Sequence, residues 1–176
     1  AGSAMGPFPK LMELGATVVA LDIPGNWGIG TKRPSSGCWK RLVGIARESP
    51  GKLIFPLSKP QKECKDDMEL FAASGANLLE EPAEILEFLL KTDVIGSKGT
   101  KATIGNYTYL NSDLHVKLSL CSDAIISGLI ERKGKDISIA FLCTPTDLHV
   151  IPEAAHTAAK ANASPLANPP AWILHQ

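Results

Sequence analysis

The sequence lacks several features that would place a protein in a functional class at once. Lysine and arginine number 18, as do aspartate and glutamate, so the net charge is zero, whereas a nucleic-acid-binding surface needs clustered positive charge. No apolar run approaches the roughly 18 residues of a transmembrane helix. No charged segment followed by an apolar one marks a signal peptide at the N-terminus. We therefore expect a soluble intracellular protein, of the cytoplasm or an organelle matrix, that does not bind nucleic acid.

Cysteine is scarce and scattered. The four cysteines are Cys38, Cys64, Cys121 and Cys143. No two of them are close enough for the usual spacing of a zinc site, so we predict no metal site. Free buried thiols in a reducing compartment are the expected state.

The composition that remains is that of one globular domain. Of the 176 residues, 44% are hydrophobic and 20% are charged, which is ordinary for a folded protein with its own core. The last part, 163–176, holds three prolines and reads as an extended Pro/Ala-rich tail.

The opening stretch carries the clearest pattern. A loop of small residues (Gly2, Ser3, Ala4, Met5, Gly6) precedes a helix-length segment at 7–14, and a buried strand predicted at 17–21 ends in Asp22. A pyrophosphate binds where small residues let it approach backbone N–H groups at the positive end of a helix. A carboxylate after the next strand can accept hydrogen bonds from both ribose hydroxyls.

Residues 2–22 resemble the start of a short-chain dehydrogenase/reductase or a related Rossmann protein. The resemblance implies a dinucleotide held by Gly2, Ser3, Ala4, Met5, Gly6 and Asp22. An aspartate at this place favours a free 2′-hydroxyl, hence NAD over NADP. The strand that normally precedes such a loop is absent. We therefore expect a piece of a longer polypeptide, or a chain that another one completes.

The rest of the chain alternates between strands and helices. Strands are predicted at 52–57, 76–79, 102–109 and 136–143, and helices at 38–48, 66–74, 152–161, after Glu81-Pro82, and from Asn111 or Ser112 to Arg132. This alternation predicts an α/β fold with a doubly wound, mostly parallel Rossmann-like sheet, helices on both faces, and the first strand missing. Residues 1–162 would form the nucleotide-binding domain.

The loop predicted at 23–37 nearly matches a phosphate-binding P-loop. Its residues 25–32 read Gly-Asn-Trp-Gly-Ile-Gly-Thr-Lys, but Lys32 follows the threonine and Pro34 blocks the next helix. Two other interpretations compete with the P-loop. One is a mobile loop over the adenosine side of the site. The favoured one is a plain surface loop with Trp27 packed against the body of the protein.

Candidate acid–base residues follow the strand predicted at 102–109. Reductases of the resembled family pair a tyrosine with a lysine four residues later. Here Tyr107 is followed at that spacing by Asn111 and Tyr109 by Asp113. Lys117 lies about 12 Å further along the helix, too far to tune the pKa of Tyr109 directly. Tyr109 could pair with Asp113 or His115 instead, although plain packing of both tyrosines is the favoured interpretation.

Three functions remain open from the sequence. The first is an NAD(P)-dependent oxidoreductase of the short-chain type with an altered active site, using Tyr109, Tyr107 and Lys117. The second is a non-catalytic Rossmann-like subunit or scaffold of a larger assembly, with a protein partner. The third is a methyltransferase that uses S-adenosylmethionine, which also needs a small-residue loop and an acid after the second strand.

Overall fold

The protein has a mixed α/β architecture. The computed structural model describes residues 6–28, 35–92, 94–95, 101–110, 113–141 and 150–162. Within these ranges the chain forms six α-helices and four short strands. They run in the order α1 (Phe8–Glu13), β1 (Thr17–Val19), α2 (Ser36–Arg47), β2 (Lys52–Ile54), α3 (Asp67–Ala73), α4 (Pro82–Lys91), β3 (Ala102–Asn106), α5 (Asp113–Lys133), β4 (Ile137–Phe141) and α6 (Glu153–Asn162).

Two compact units divide the chain. The first, Ala1–Leu142, holds every described element except α6. The second, Cys143–Gln176, contributes α6, an alanine-rich helix whose side chains are exposed throughout 153–161. The predicted tail at 163–176 lies outside the residues that the structure describes. None of the helices in the described ranges is long and apolar enough to cross a membrane.

The first sheet is a parallel pair joined through α2. Thr17 pairs with Lys52 and Val19 with Ile54. Helix α2 turns Trp39, Leu42 and Val43 inward, as its apolar spacing predicts, and these side chains are at most 6% exposed. They form one core with residues of α1 and α3 (Phe8, Met12, Leu70 and Phe71).

The second sheet is also parallel, and α5 joins its strands. Ala102 pairs with Ile137 and Asn106 with Phe141. A second core lies between this sheet, α4 and α5, with Ile85 and Leu129 almost fully buried. Val19 and Leu21, from β1 and the segment after it, pack against the same core. The two sheets therefore share an apolar cluster.

The predicted strand at 76–79 is wrong. Asn77 instead starts a turn that leads into α4: its carbonyl accepts the Glu81 N–H at 2.8 Å, and its side-chain oxygen accepts the Leu79 N–H at 3.0 Å. The Glu81 carboxylate in turn accepts the Asn77 N–H at 2.7 Å. Asparagine side chains readily form hydrogen bonds with nearby backbone groups. These local hydrogen bonds, and not the apolar pattern, determine the conformation of this segment.

The remaining predicted elements are confirmed, with shorter strands than the sequence indicates. The strand predicted at 52–57 ends as a ladder at Ile54, and the one predicted at 102–109 ends at Asn106. Gly15 ends the α1 segment with a φ of 77°, as expected for a glycine just past a helix. The predicted capping residues Asn111 and Ser112 lie outside the described ranges.

Candidate functional site

A cleft of about 340 Å³ lies where β1 and β2 end. Four segments line it: the loop after β1, the segment after β2, the end of α3, and the chain between α3 and α4. They contribute Pro24, Asn26 and Trp27, then Ser58, then Ala72 and Ala73, and then Ser74, Gly75, Asn77, Glu80 and Glu81. The carboxyl ends of parallel strands are where α/β proteins place their ligands. This cleft is therefore the candidate functional site.

Hydrogen bonds hold the loop after β1 in place. The Trp39 indole N–H donates to the Ile23 carbonyl at 2.9 Å. The Ser35 N–H donates to the Trp27 carbonyl at 3.1 Å, and the single Ser35 hydroxyl proton lies within reach of the carbonyls of Trp27 and Pro24. Because Trp39 is fully buried, the loop is tied directly to the first core. The described part of the loop thus forms a fixed wall of the cleft.

Two glycines allow the backbone segments around the cleft to approach each other. A Cβ on Gly25 would lie 1.7 Å from the carbonyl oxygen of Phe71. Gly75 has a φ of 96°, and a Cβ there would lie 2.5 Å from the Ile23 carbonyl oxygen. Only glycine fits either position without moving backbone. Both glycines therefore shape the cleft wall.

The backbone of Gly25 bears on the P-loop interpretation. Its N–H donates to the Ser74 carbonyl at 2.6 Å, so it has no proton left for a phosphate. The close approach to Phe71 already explains why the residue is glycine. Residues 29–34 of the same motif, which include Gly30 and Lys32, lie outside the part of the chain that the structure describes.

Trp27 is exposed at the rim of the cleft. Its side chain is 54% exposed, so the prediction that it packs against the body is wrong. The interior position in this region belongs to Trp39, which contacts Phe55 with ring centroids 5.2 Å apart. Trp27 therefore presents an aromatic surface on which a planar ligand ring can stack.

Asp22 lies next to the cleft but does not line it. Its carboxylate accepts the Ile23 N–H at 3.0 Å, and its carbonyl accepts the Ala76 N–H at 3.1 Å. Burial, and then the negative charge of Asp22, raise the pKa of the nearby Cys38 thiol. Of the predicted phosphate loop, Gly6 is described and precedes α1, while Gly2, Ser3, Ala4 and Met5 fall outside the described residues.

The two tyrosines lie just past β3, away from the cleft lining. Tyr107 folds back over the sheet, with its ring atom Cε2 2.4 Å from the place of a Cβ on Gly105. Tyr109 is 70% exposed and so does not pack as expected. Its ring contacts His115, with centroids 5.6 Å apart. Of the two partners proposed for Tyr109, the structure therefore brings His115 into contact.

Lys117 interacts with a carboxylate. Its ammonium lies 3.4 Å from Asp113 one turn earlier on α5, and both side chains are largely exposed. The ammonium group of Lys117 is therefore paired with the Asp113 carboxylate. Among the described histidine, cysteine, aspartate and glutamate side chains, no group of three is placed to hold a metal ion.

Several residues of the cleft were not singled out from the sequence. Asn77, Glu80 and Glu81 line it, and among the residues that the structure describes no lysine or arginine does. In the sequence, the pair of acids Glu80 and Glu81 before Pro82 marks the start of a helix but does not indicate a cleft. The lining offers two hydroxyls, two amides, two carboxylates and an aromatic ring, which suit a polar, planar group without negative charge.

No protein-family model, curated protein or solved structure matches this chain in the comparisons made with them.

Proposed function

We propose that the chain is a Rossmann-like nucleotide-binding protein and that the cleft receives the adenosine part of NAD. The observation that carries this proposal is the position of the cleft, at the carboxyl ends of a parallel strand pair joined by a helix. In doubly wound sheets the ligand lies at this edge.

The free edge of β1 supports a larger, doubly wound sheet. Ala20 donates to Ile54, and Lys52 donates to Ala16, so these residues of the first strand segment face β2. By alternation, the backbone N–H and C=O of Val19 point to the opposite side. There they meet no backbone partner within the described residues. Because the two sheets share a core, an added strand between β1 and β3 would unite them.

The charge of the cleft favours the adenosine end of the cofactor. Glu80 and Glu81 would repel a phosphate, and within the described part of the chain no lysine or arginine lines the cleft to offset them. Adenosine is uncharged, and its ring would stack on Trp27 while the Asn77 amide donates to a ring nitrogen. In this proposal the pyrophosphate lies at the loop from Gly2 to Gly6, and Asp22 accepts the ribose hydroxyls.

The same charges favour NAD over NADP. A 2′-phosphate next to Asp22 would meet a carboxylate, and like charges in a partly buried site repel strongly. The described lining of the cleft contributes no basic side chain to compensate.

The proposed reaction is an oxidoreduction of the short-chain type. Its general acid would differ from the tyrosine–lysine pair of the resembled family. Tyr109 and Tyr107 are the candidate acids. Lys117 would act only after leaving Asp113. That ion pair and the exposure of Tyr109 favour the second candidate function, a non-catalytic subunit that retains the nucleotide site. A methyltransferase is the third, because its cofactor also carries an adenosine.

A fluorescence titration tests the proposal. NADH bound next to Trp27 should quench tryptophan emission by energy transfer. Trp27→Phe should reduce that quenching, and Trp39, which lies behind the cleft loop, should account for part of what remains. Asp22→Asn should weaken NADH binding about tenfold or more, since hydrogen bonds to a charged acceptor contribute about 1.5–3 kcal/mol. The control is Glu48→Gln, an exposed carboxylate at the end of α2, and it should leave binding unchanged.

Competing ligands separate the three candidate functions. Titration with NADPH and S-adenosylmethionine under the same conditions should give weaker binding than NADH. Tighter binding of S-adenosylmethionine would favour the methyltransferase. NADH binding without turnover of any alcohol or carbonyl substrate would favour the non-catalytic subunit. If isothermal titration calorimetry detects no binding of NADH, NADPH or S-adenosylmethionine at millimolar ligand, the nucleotide proposal is wrong.

A further inference from the structure

Helix α5 is apolar on two opposite sides. One side faces the second core: Ile125 and Leu129 belong to it and are at most 5% exposed. The other side faces outward, where Val116 is 60%, Leu120 64% and Ile130 43% exposed. Large apolar side chains that are exposed together on one face of a helix mark a surface that associates with another one.

The outward residues form a continuous stripe. Exposed positions recur every three or four residues, which places them on one face of a helix with 3.6 residues per turn. We call this stripe the outer face of α5. It comprises Asp113, Val116, Lys117, Leu120, Ala124, Ser127, Ile130 and Glu131, all of which are exposed.

Size complementarity indicates what covers the outer face. Leu120 is large, while Ala124 and Ser127, the next two positions of the stripe, are small. A second helix running in the opposite direction would bring its own Leu120 over these small residues, and the first Leu120 over theirs. Close packing of large against small side chains is what a helix–helix contact requires.

The charged residues of the outer face also favour an antiparallel arrangement of the two helices. Lys117 lies seven residues before Ala124, and Glu131 lies seven residues after it. Two parallel copies would oppose Lys117 to Lys117 and Glu131 to Glu131. Two antiparallel copies centred on Ala124 would instead form two Lys117–Glu131 pairs. Opposite charges across such a seam set partner choice and orientation in paired helices.

From these observations we infer that the outer face of α5 binds a second copy of this chain, with the two α5 helices antiparallel and centred at Ala124. One helix pair is a small interface, so the dimer should be weak, with a dissociation constant in the micromolar range. Asp123 would lie at one edge of the helix pair, near Asp123 of the second copy. The two negative charges would repel each other and weaken the dimer.

Disulfide trapping tests the position and the direction. Ala124→Cys, made together with Cys121→Ser, should form a disulfide-linked dimer on mild oxidation, because the two residues meet at the symmetry axis. The control is Leu120→Cys in the same background. Its two copies would lie about 12 Å apart along the helices at 1.5 Å per residue, beyond the roughly 7 Å Cα separation that a disulfide spans. Equal trapping at 120 and 124 would overturn the antiparallel arrangement.

Sedimentation velocity of the full chain over a concentration series tests the association itself. Leu120→Glu should abolish the dimer, whereas Met68→Glu should not, because Met68 is a similarly exposed residue (68%) on α3. Lys117→Glu and Glu131→Lys should each weaken the dimer at least threefold, and the double variant should restore it. Asp123→Asn should strengthen it. A parent chain that stays monomeric at several hundred micromolar, or a double swap without rescue, would refute the proposal.

Discussion

The two cores of the first unit differ in how completely they are closed. Around α2, the largest side chains are fully buried, with Trp39, Met12 and Leu42 at 0% exposure. Around α5, Leu129 is equally buried, but Leu120 on the same helix is 64% and Phe141 on β4 is 53% exposed. The first region buries its largest apolar side chains, and its exposed ones, such as Leu14, Trp27 and Met68, come from separate segments. The second region exposes several large apolar side chains of a single helix, α5.

This difference indicates where the protein needs something else. A parallel sheet is normally covered on both faces. The β3–β4 sheet is covered by α4 and α5 on the face that carries Ala102 and Ile137, while Thr103 and Ser138, which point to the other face, are exposed. A closed core is suited to hold a binding cleft rigidly. An open one is suited to association, as proposed for the outer face of α5.

We call the part of the chain around the first core and α2 the closed region, and the part around the second core and α5 the open region. The largest expected effect of a substitution on stability is in the closed region. Trp39→Ala should lower the free energy of unfolding by about 3–5 kcal/mol, because it leaves a large cavity. It also removes the hydrogen bond to Ile23 that holds the cleft loop. Leu120→Ala in the open region should cost less than about 0.5 kcal/mol in the monomer. Urea denaturation of dilute protein measures both, and equal losses would contradict the distinction between the regions.

A smaller but still large effect is expected at the cleft wall. Gly25→Ala would put a methyl group 1.7 Å from the Phe71 carbonyl oxygen, and we expect a loss of about 1–3 kcal/mol. Gly44→Ala is the matched control. It lies within α2, a Cβ there meets nothing within 4 Å, and alanine should stabilise the helix by about 0.5–1 kcal/mol. Thermal unfolding of the pair would refute this account if both changes had the same sign.

The elements of the closed region were predictable because their signals are periodic. Leu42 and Val43 fall on the helical stripe of Trp39, and all three are buried. Trp27 belongs to no periodic pattern, so apolar character alone indicated the wrong environment for it. The Asn77 turn was missed for a related reason: four apolar or small residues resemble a strand, and the deciding hydrogen bonds are local side-chain bonds.

The cleft could be predicted only in part. The sequence indicated the strand ends at Asp22 and Ser58 and the glycine at 75, since each ends an apolar or helical run. It could not indicate that Trp27, Asn77 and Glu80 converge there, because they come from segments that meet only through tertiary packing. The approach of Gly25 to Phe71 is likewise a long-range contact without a local signature.

In the open region, Gly105→Ala should have a modest effect. The new methyl group would displace the Tyr107 ring, which is a movable side chain and can swing toward solvent. We expect a loss below about 1 kcal/mol, since partly exposed positions tolerate such changes. A change in tyrosine fluorescence or near-ultraviolet circular dichroism would report the displaced ring. Thr103→Ala, an exposed change on the same strand, should leave both spectra unaltered.

The smallest effect concerns an ion pair that joins α2 to α3. Arg47 donates two hydrogen bonds to Asp67 at 2.6 and 2.7 Å, and these bonds lower the pKa of the Asp67 carboxyl. The folded state therefore binds this proton less readily than the unfolded state. The stabilisation is present above the usual aspartate pKa near 4 and is lost as the pH falls through the lower folded value.

Asp67→Asn should therefore destabilise the protein slightly at pH 7 and change its stability less at pH 3. Both side chains are about half exposed, so salt should weaken the effect further. Urea denaturation at the two pH values, with Glu48→Gln as the control at the end of the same helix, measures the difference. An Asp67→Asn loss that is the same at pH 3 and pH 7 would show that the carboxylate acts through packing alone and not through its charge. In that case the closed region would owe its stability to packing, in the apolar core around Trp39 and at this contact, with no measurable contribution from the charge of the ion pair.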